Sequence, residues 1–562
     1  MLGKNTTTAL IGITVFMLAA CQVSCWRFDP GCYDDYIGSM SRETTRPATS
    51  APAVPPVSTR PTETAGPLKI TVQEAILLAL ANNRQLAVER MNPSIRHTRQ
   101  QQERAVFDPV VGGEISTERS RSEGASRPGS AREEAVSGGV SAGVFLPTGT
   151  TVDLGASTNI ADSSLYSDSF TSTRVGLTVT QALLQGAGVR ANLVRLRQAR
   201  LDTRASEYEL RGFAEMLVAA VETTYWDYAL AQRQIQIYTD SLKLAEQQMK
   251  ETEERIRIGK LAETELAAAQ AEVALRKENL INVRSSLARI RLQLLRLTSP
   301  AAGSWDREIT LHDRPGAPKG KLDDVKSRVQ VALRMRPEMN EARLALKRGD
   351  LEIVRTKNGL LPKLDLFVML GKTGYADSFG RSVRDLDGDG YDVLVGVRGE
   401  FPLGNRDARA EHRRSVLTRR QAVRAVENLA QLVEVDVRTA FIEVNRAREQ
   451  ISATAATRKF QAEKLRAETE KFRVGRSTSL LVAQAQRDFL SSQIAEVEAV
   501  VNCLKALVEL YRLEGSLLER RGIGAPGREP VGPMNGQTRT NDEEAHNKAV
   551  KALAPNQEGT AR

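Results

Sequence analysis

The sequence contains few of the residues from which enzyme sites are built. Its 562 residues include only four histidines and four cysteines, and aromatic residues make up 5 %. None of the histidines pairs with a cysteine or a carboxylate at the spacing of a metal site, and no nucleophile motif or phosphate-binding loop is present. The histidines are His97, His312, His412 and His546. The sequence therefore does not support an enzyme, and it predicts no cofactor and no bound metal.

Long hydrophobic runs are also scarce, and the one that is present lies at the N-terminus. It covers residues 9–20, follows a single lysine, and is shorter than the roughly 20 residues that a transmembrane helix needs. Residues 1–20 are therefore predicted to be an export signal. The segment LAAC at 18–21 resembles the bacterial lipobox, so Cys21 is predicted to be acylated and to become the mature N-terminus. Ordinary signal cleavage nearby, with Cys21 incidental, is the alternative. Because exported proteins do not normally meet nucleic acid, the net charge of +10 does not indicate a nucleic-acid partner.

Two polar segments flank the part of the chain that can fold. Residues 21–66 are predicted to be a lipid-anchored N-terminus followed by a disordered Ser/Thr/Pro-rich linker, and residues 522–562 a disordered polar tail. Cys25 and Cys32 could form a disulfide in an oxidising compartment, on the evidence of their proximity alone. Cys503 lies at a helix-core position and is predicted to be a buried apolar residue.

The folded part is an internal duplication. Val72, Ala79 and Pro109 match Val325, Ala332 and Pro362 at a constant offset of 253 residues, whereas later positions match at 216. The difference of 37 residues predicts an insertion in the first half, between Pro109 and Gly259. We therefore divide the chain into a first repeat at 67–299, a connector at 300–321 and a second repeat at 322–521.

Each repeat carries a long helical arm. From Leu210 to Ile256 apolar and small residues step by four and three without a charge, which is the period of 3.5 that indicates coiled-coil packing. Residues 191–258 would form a helix of roughly 100 Å at 1.5 Å per residue. Gly259 and Gly475, which match at the offset of 216, are predicted to take the left-handed conformation that ends an arm and reverses it.

Alternating segments lie between the first helices and the arms. Residues 136–146, 150–158, 173–183, 363–370 and 391–401 alternate apolar residues with polar residues or glycine. A period of two suits strands between lipid and a watery lumen. An ordinary soluble hairpin shows the same alternation, but export and the neighbouring long helices favour the membrane. The extra hairpin near 136–158 predicts six strands per chain, or alternatively a hairpin outside the wall.

Several stretches resemble the TolC-like outer-membrane efflux proteins, of the lipoprotein type. ETTYWDYALAQRQIQIYTDSLKLAEQQMKETEERIRIGKLAETELAAAQAEV is similar to the first arm and turn of that family, and RMRPEMNEARLALKRGDLEIVRTKNGLLPKLDL to the opening of its second half. GLTVTQALLQGAG and GVRGEFPLGN resemble the last strand before each arm. The resemblance covers about residues 68–520.

The resemblance implies a mainly α fold with a membrane β-barrel portion. Duplicated units of helix, strands and long helical hairpin would form a trimeric α-helical tunnel topped by an outer-membrane barrel. The implied function is a passive homotrimeric duct in a tripartite efflux or type I secretion system, whose partners are outer-membrane lipid, a periplasmic adaptor and an RND or ABC type inner-membrane pump. The implied location is the outer membrane, extending into the periplasm. A periplasmic coiled-coil scaffold without a pore is the alternative.

The resemblance also implies that the tips of the helical hairpins contact the adaptor. The predicted contact residues are Gly259, Glu263, Glu265, Gly475 and Arg476. Two features depart from the family pattern. Ala182 replaces the usual proline of the first strand end, and 480–484 lacks the paired aspartates that gate some members.

Two charged motifs complete the set of candidate sites. Arginines recur every seven residues at the start of each arm and form what we call the basic belt: Arg190, Arg197, Arg204, Arg406, Arg413 and Arg420. The belt is either a solvated outer face or a surface that faces the tunnel or lipid phosphates and attracts anions. Asp385, Asp387 and Asp389 resemble half of a calcium loop, but Gly396 stands where the bidentate glutamate belongs, so an acidic turn is favoured.

Overall fold

A computed structural model describes residues 67–123, 130–163, 170–298, 305–318, 320 and 323–532. The predicted export signal, Cys21, Cys25, Cys32 and the linker lie outside the described residues, as do residues 533–562 of the predicted tail. The interpretation of those segments therefore stays a prediction.

The described residues form two copies of one plan. The first copy runs through β1 (Leu68–Ile70), α1 (Val72–Asn82), α2 (Arg84–Glu89), α3 (Asn92–Ala105), β2 (Val110–Glu123), β3 (Ser130–Leu146), β4 (Thr150–Ser163), β5 (Phe170–Ala182), α4 (Val189–Asn192), α5 (Val194–Arg257) and α6 (Thr264–Thr298). The second runs through β6 (Ile309–Leu311), α7 (Val325–Met335), α8 (Pro337–Asn358), β7 (Lys363–Ala376), α9 (Phe379–Arg384), β8 (Tyr391–Glu400), α10 (Arg406–Arg473), α11 (Ser479–Leu513) and α12 (Leu517–Arg520). The duplicated plan predicted from the sequence is confirmed.

The long helices follow the predicted pattern of apolar residues with a period of 3.5, which we call the seam. α5 has 64 residues and α10 has 68, so each is about 100 Å long. Val221 and Val437 are fully buried along these helices, and α6 and α11 return beside them. The first arm differs from the prediction at its start, because Leu193 leaves the helical conformation and separates α4 from α5. Among the described helices, none combines the length and the hydropathy that crossing a bilayer requires.

Six strands form one antiparallel sheet in the order β2-β3-β4-β5-β7-β8. β2 and β7 have matching bounds at the offset of 253, and β5 and β8 overlap at 216. The surplus of the first half is therefore the hairpin β3–β4, which lies in the sheet and not outside it. β2 was not predicted from the sequence, because its outer half, STERSRSE, carries charges in place of alternating apolar residues.

The connector is tied to the start of the folded part. β1 pairs in parallel with β6, and Ile70 and Ile309 are both buried. Two tyrosines of α5 lie beneath the pair: the Tyr225 hydroxyl donates to the Ile70 carbonyl at 3.2 Å, and the Tyr228 hydroxyl donates to the Ile309 carbonyl at 3.0 Å. This small sheet therefore closes the core between the two repeats and the first arm.

The disordered tail was predicted to begin at residue 522, which is too early in the sequence. Residues 522–532, which we call the strap, lie against α5 and α8. Val531 is buried, and its N–H donates to the Asn340 side-chain oxygen at 2.8 Å, while the Tyr208 hydroxyl donates to the Glu529 carbonyl. The prediction of disorder from residue 522 is therefore wrong for the strap. Its contacts use backbone groups, which a polar sequence does not reveal.

Candidate functional site

The sheet has one apolar face. Residues directly opposite in an antiparallel pair point to the same side, so the register traces each face across the strands. Val140 lies opposite Ala156, which lies opposite Val175, and Val395 lies opposite Val368. On this face the side chains are mostly aliphatic and many are exposed: Val111, Ile115, Val136, Val140, Leu154, Ile160, Val175, Val393, Val395 and Val397. An exposed aliphatic band on one side of a sheet is suited to contact lipid.

The opposite face is polar and rich in glycine. Ser116 and Ser137 are joined by a hydrogen bond of 2.6 Å, and Asp153 and Thr178 lie opposite one another on the same side. The most prominent contact there is a bidentate ion pair: the Arg174 guanidinium donates to both Asp392 oxygens at 2.7 and 2.6 Å. The pair crosses β7 at Gly371, where a Cβ atom would come within 2.5 Å of both side chains. This face is therefore suited to line water.

The sheet is open at both ends within the chain. In the described residues β2 and β8 each pair with one neighbour only. A backbone edge in hydrocarbon leaves N–H and C=O groups without partners, which costs several kcal/mol per group. A single chain therefore does not satisfy the requirements of a membrane wall.

The inserted hairpin is anchored at the junction between sheet and helices. The turn between β3 and β4 holds Gly149 at φ 88°, and a Cβ there would meet the Gly186 carbonyl oxygen at 2.3 Å. The Asn192 side-chain amide donates to the carbonyls of Pro147 and Gly186 at 3.0 and 2.8 Å. The Gly188 N–H donates to the Thr148 carbonyl at 3.0 Å. These contacts fix the added strands to the start of the first arm.

At the far end of the helices, two glycines make the same turn. Gly259 and Gly475 have φ of 70° and 76°, so the predicted left-handed conformation is confirmed. The Lys260 N–H donates to the Arg255 carbonyl and the Arg476 N–H to the Lys471 carbonyl, at 2.8 and 2.7 Å. This six-to-one bond defines the Schellman termination of a helix.

The two turns contact each other at this end. The Ser479 hydroxyl donates to the Glu265 carboxylate, and the Arg255 guanidinium lies 5.2 Å from the centre of the Phe472 ring. Glu263 and Arg476 are exposed, and so are the apolar side chains of Ile258 and Val474, at 59 % and 69 %. The five predicted tip residues therefore lie together at one end, with apolar surface beside them.

The basic belt is divided by the break at Leu193. Arg190 lies on α4, whereas Arg197 and Arg204 lie on α5, so the first set does not occupy one continuous helix. The second set, Arg406, Arg413 and Arg420, occupies α10 without interruption, and all three residues are exposed in the single chain.

The calcium-like segment forms the connection between β7 and β8. Asp385–Asp387 is a 3₁₀ turn, and the Asp385 carboxylate accepts the Tyr375 N–H at 2.8 Å. Within the described part of the chain, no group of three or more histidine, cysteine or acidic side chains is arranged to hold a metal ion.

A buried polar cluster in the helical body was not predicted. Glu215 is almost fully buried, 3.3 Å from the Arg211 guanidinium, which also donates to Glu519. Burial raises the pKa of Glu215 to about 8, against the opposing effect of Arg211. An arginine four residues before a glutamate on a helix is a common surface pattern, so the sequence does not mark this pair as buried.

Comparison with known proteins identifies the arrangement. The family model described as outer membrane efflux protein matches residues 75–299 and 329–516. The outer-membrane channel OprN superposes with a TM-score of 0.61, at 19 % identity, over 79 % of this chain and 90 % of that chain. CusC superposes with a TM-score of 0.61, at 17 % identity, over 84 % and 98 %. The Campylobacter jejuni CmeC outer membrane channel gives 0.59, at 14 % identity, over 85 % and 89 %. No curated protein matches the sequence. At these identities the solved structures establish the fold alone.

Proposed function

The chain belongs to the outer membrane efflux protein family, and from that premise we propose that three copies form a passive duct from periplasm to exterior. An outer-membrane efflux channel is the function that the family supports. The observation that carries the proposal is the six-stranded sheet with one apolar face, one polar face and two open edges.

Closure of the wall supports the trimer. If β8 of one copy pairs with β2 of the next, three chains supply eighteen strands and every backbone edge is paired. The apolar face then meets lipid, and the polar face with the Arg174–Asp392 pair lines the lumen. A poreless scaffold would have no use for a sheet with two such different faces, so the duct is favoured over that alternative.

We place the helices in the periplasm and the hairpin tips against an adaptor. Gly259, Glu263, Glu265, Gly475 and Arg476 lie at the end of the helices away from the sheet. The exposed apolar side chains of Ile258 and Val474 beside them suit a protein contact. The adaptor would couple the duct to an RND or ABC type pump, which supplies the energy. The family consists of channel proteins, and the duct is proposed to carry out no catalysis.

The domain division and the lipid anchor are further parts of the proposal. Residues 1–20 would direct export, Cys21 would carry the lipid, and residues 21–66 would link it to the repeats. Cys21→Ser should abolish metabolic labelling with a fatty acid, while wild-type protein is labelled. Labelling that persists in the variant would exclude the lipobox.

Conductance of the purified full-length protein tests the duct. In planar bilayers we expect single-channel steps from a species that crosslinks to a trimer on a denaturing gel. One cysteine on β2 and one on β8 should form a disulfide between neighbouring copies. A cysteine on the internal strand β4, combined with the same cysteine on β8, should not. Conductance from a crosslink-free monomer, or a trimer with no conductance, would contradict the proposal.

A further inference from the structure

The short helix α9 lies on the outside of the sheet. The Ser382 side chain is fully buried, and its hydroxyl is 2.7 Å from the hydroxyl of Thr173. Thr173 lies opposite Gly374, in the series of positions that includes Val175 on the apolar face. A Cβ atom on Gly374 would come within 2.1 Å of the Ser382 carbonyl oxygen, so the close approach requires glycine there.

This contact lies at the edge of the apolar band. On β7 the band ends at Lys372, which lies opposite Tyr391 of β8 and is exposed. β5 runs from this edge towards Ala182 and the long helices, so the edge is the end of the sheet away from the helices. With the helices in the periplasm, as the proposed function has them, α9 lies at the level of the lipid headgroups of the outer leaflet.

The exposed side chains at this level combine aromatic, aliphatic and cationic groups. Phe379, Val383 and Tyr391 are exposed to 57 %, 41 % and 68 %. Arg384 is also exposed, and it makes no ion pair within the described residues. Arg381 pairs with Asp377 at 2.8 Å, but both side chains are at least half exposed, so the pair is weak in water and can exchange for another anion.

We propose that Lys372, Arg381 and Arg384 bind the phosphate groups of anionic outer-leaflet lipid, while Phe379 and Val383 enter its acyl region. Aromatic residues concentrate at the interfaces of membrane barrels, and arginine binds phosphate with paired N–H donors. The apolar band of the sheet ends directly beside this surface, at Lys372, which favours lipid as the occupant in place of a soluble protein. The inference rests on the proposed orientation of the sheet.

The acidic residues of the same connection set the conditions of the test. Asp387 and Asp389 are exposed and reduce the local positive charge. They could also hold a divalent cation that bridges to phosphate. Titrations in EDTA remove that bridge, so any binding that remains belongs to the cationic side chains.

The experiment measures lipid binding to the full-length channel by native mass spectrometry. The probes are bisphosphorylated lipid A, the same lipid after phosphatase treatment, and phosphatidylcholine. Arg381→Gln combined with Arg384→Gln should weaken binding of bisphosphorylated lipid A by roughly 30-fold, on the basis of about fivefold per cation at a lipid surface. Binding of the two other lipids should not change. Arg466→Gln, an exposed arginine on α10, is the control and should bind as wild type.

Gly374→Ala provides a second variant that retains every charge. Its Cβ displaces α9 from the sheet, so lipid A affinity should fall while single-channel conductance remains. Wild-type affinity in both variants, equal losses for phosphatidylcholine, or binding that requires a divalent cation would overturn the inference. A wild-type protein that forms no channel would contradict the proposed function instead, and the two failures are therefore distinguishable.

Discussion

At the scale of single residues, Gly259 and Gly475 show how conformation can matter without packing. A Cβ atom added at either position would meet nothing within 4 Å. The requirement for glycine therefore comes only from the positive φ, which costs about 1–3 kcal/mol for other residues and more for a β-branched side chain. Such a cost is local to the tip, since the seam of each arm ends before it.

We predict that Gly475→Val impairs transport more than it impairs insertion. The strained turn should shift the neighbouring tip side chains, whereas the sheet lies at the other end of α10. Substrate efflux by cells and the amount of trimer in the outer membrane would be measured together. Gly316→Val is the control, because its position is open and has no positive φ. Normal efflux by Gly475→Val would show that the tip is not the adaptor contact.

The raised pKa of Glu215 predicts that the free energy of unfolding depends on pH. Its pKa is about 8 in the folded chain against an ordinary value of 4.5, so folding takes up a proton between these values. The contribution of this group to the free energy of unfolding is thus complete below pH 4.5 and is lost as pH rises through 8. Glu215→Gln should therefore gain stability relative to wild type between pH 5 and pH 8.5. Chemical denaturation at the two pH values measures the change, with Glu253→Gln, an exposed glutamate on the same helix, as the control. A constant difference across the range would show that Glu215 titrates normally.

At the scale of elements, the hairpin β3–β4 is the clearest departure from a symmetric duplication. It adds two strands between β2 and β5, the equivalents of β7 and β8. Because it enters as an antiparallel pair, it leaves the directions of the other strands unchanged.

Deletion of residues 127–163 removes the 37 residues of the offset and should leave four strands per chain. We expect a trimer with a narrower barrel and a lower single-channel conductance, since diameter grows with strand number. Scrambling the sequence of residues 124–129 controls for disturbance of the connection between β2 and β3. Unchanged conductance in the deletion would mean that the narrowest part of the duct lies in the helices.

The basic belt gives a prediction for the second arm, where the three arginines share one helix. If they face the tunnel, replacing Arg406, Arg413 and Arg420 by Gln should lower the preference for anions at low salt. The shift should shrink at about 1 M salt, where the Debye length falls to about 3 Å. Replacing Arg424, Arg438 and Arg446, which are paired with glutamates on α10, is the control. Unchanged anion selectivity at low salt would show that the belt does not face the tunnel and is a solvated outer face.

The elements also show what the sequence could predict. Periodicity and the two offsets were sufficient for the arms, the glycine turns and the extra hairpin, because each depends on residues close in sequence. The strap and the position of α9 depend on residues distant in sequence: the Val531 N–H donates to the Asn340 side chain, and the Ser382 hydroxyl contacts that of Thr173. No local pattern encodes these contacts. The burial of Glu215 was missed for the same reason, since it depends on α12 folding against α5.

At the scale of the whole molecule, the chain separates two tasks. The sheet supplies a wall with an apolar outside, and the helices supply a rigid stem whose core is mainly small and aliphatic, with a few aromatic side chains such as Tyr225. The strap and the parallel pair β1–β6 join the repeats where neither task is performed.

The anchored turn at Gly149 has a consequence for how such channels can diverge. The hairpin lies within the wall: its two strands begin and end at the edge of the sheet away from the helices, and only its turn reaches the junction with them, where Asn192 and Gly188 hold it. One insertion therefore widens the perimeter by two strand spacings per chain, about 10 Å before tilt, without altering a single heptad of the stem. The width of the barrel and the structure of the helical stem can therefore change independently of one another. A lineage could change the calibre of its outlet in one genetic event and keep the partners that its stem already recognises.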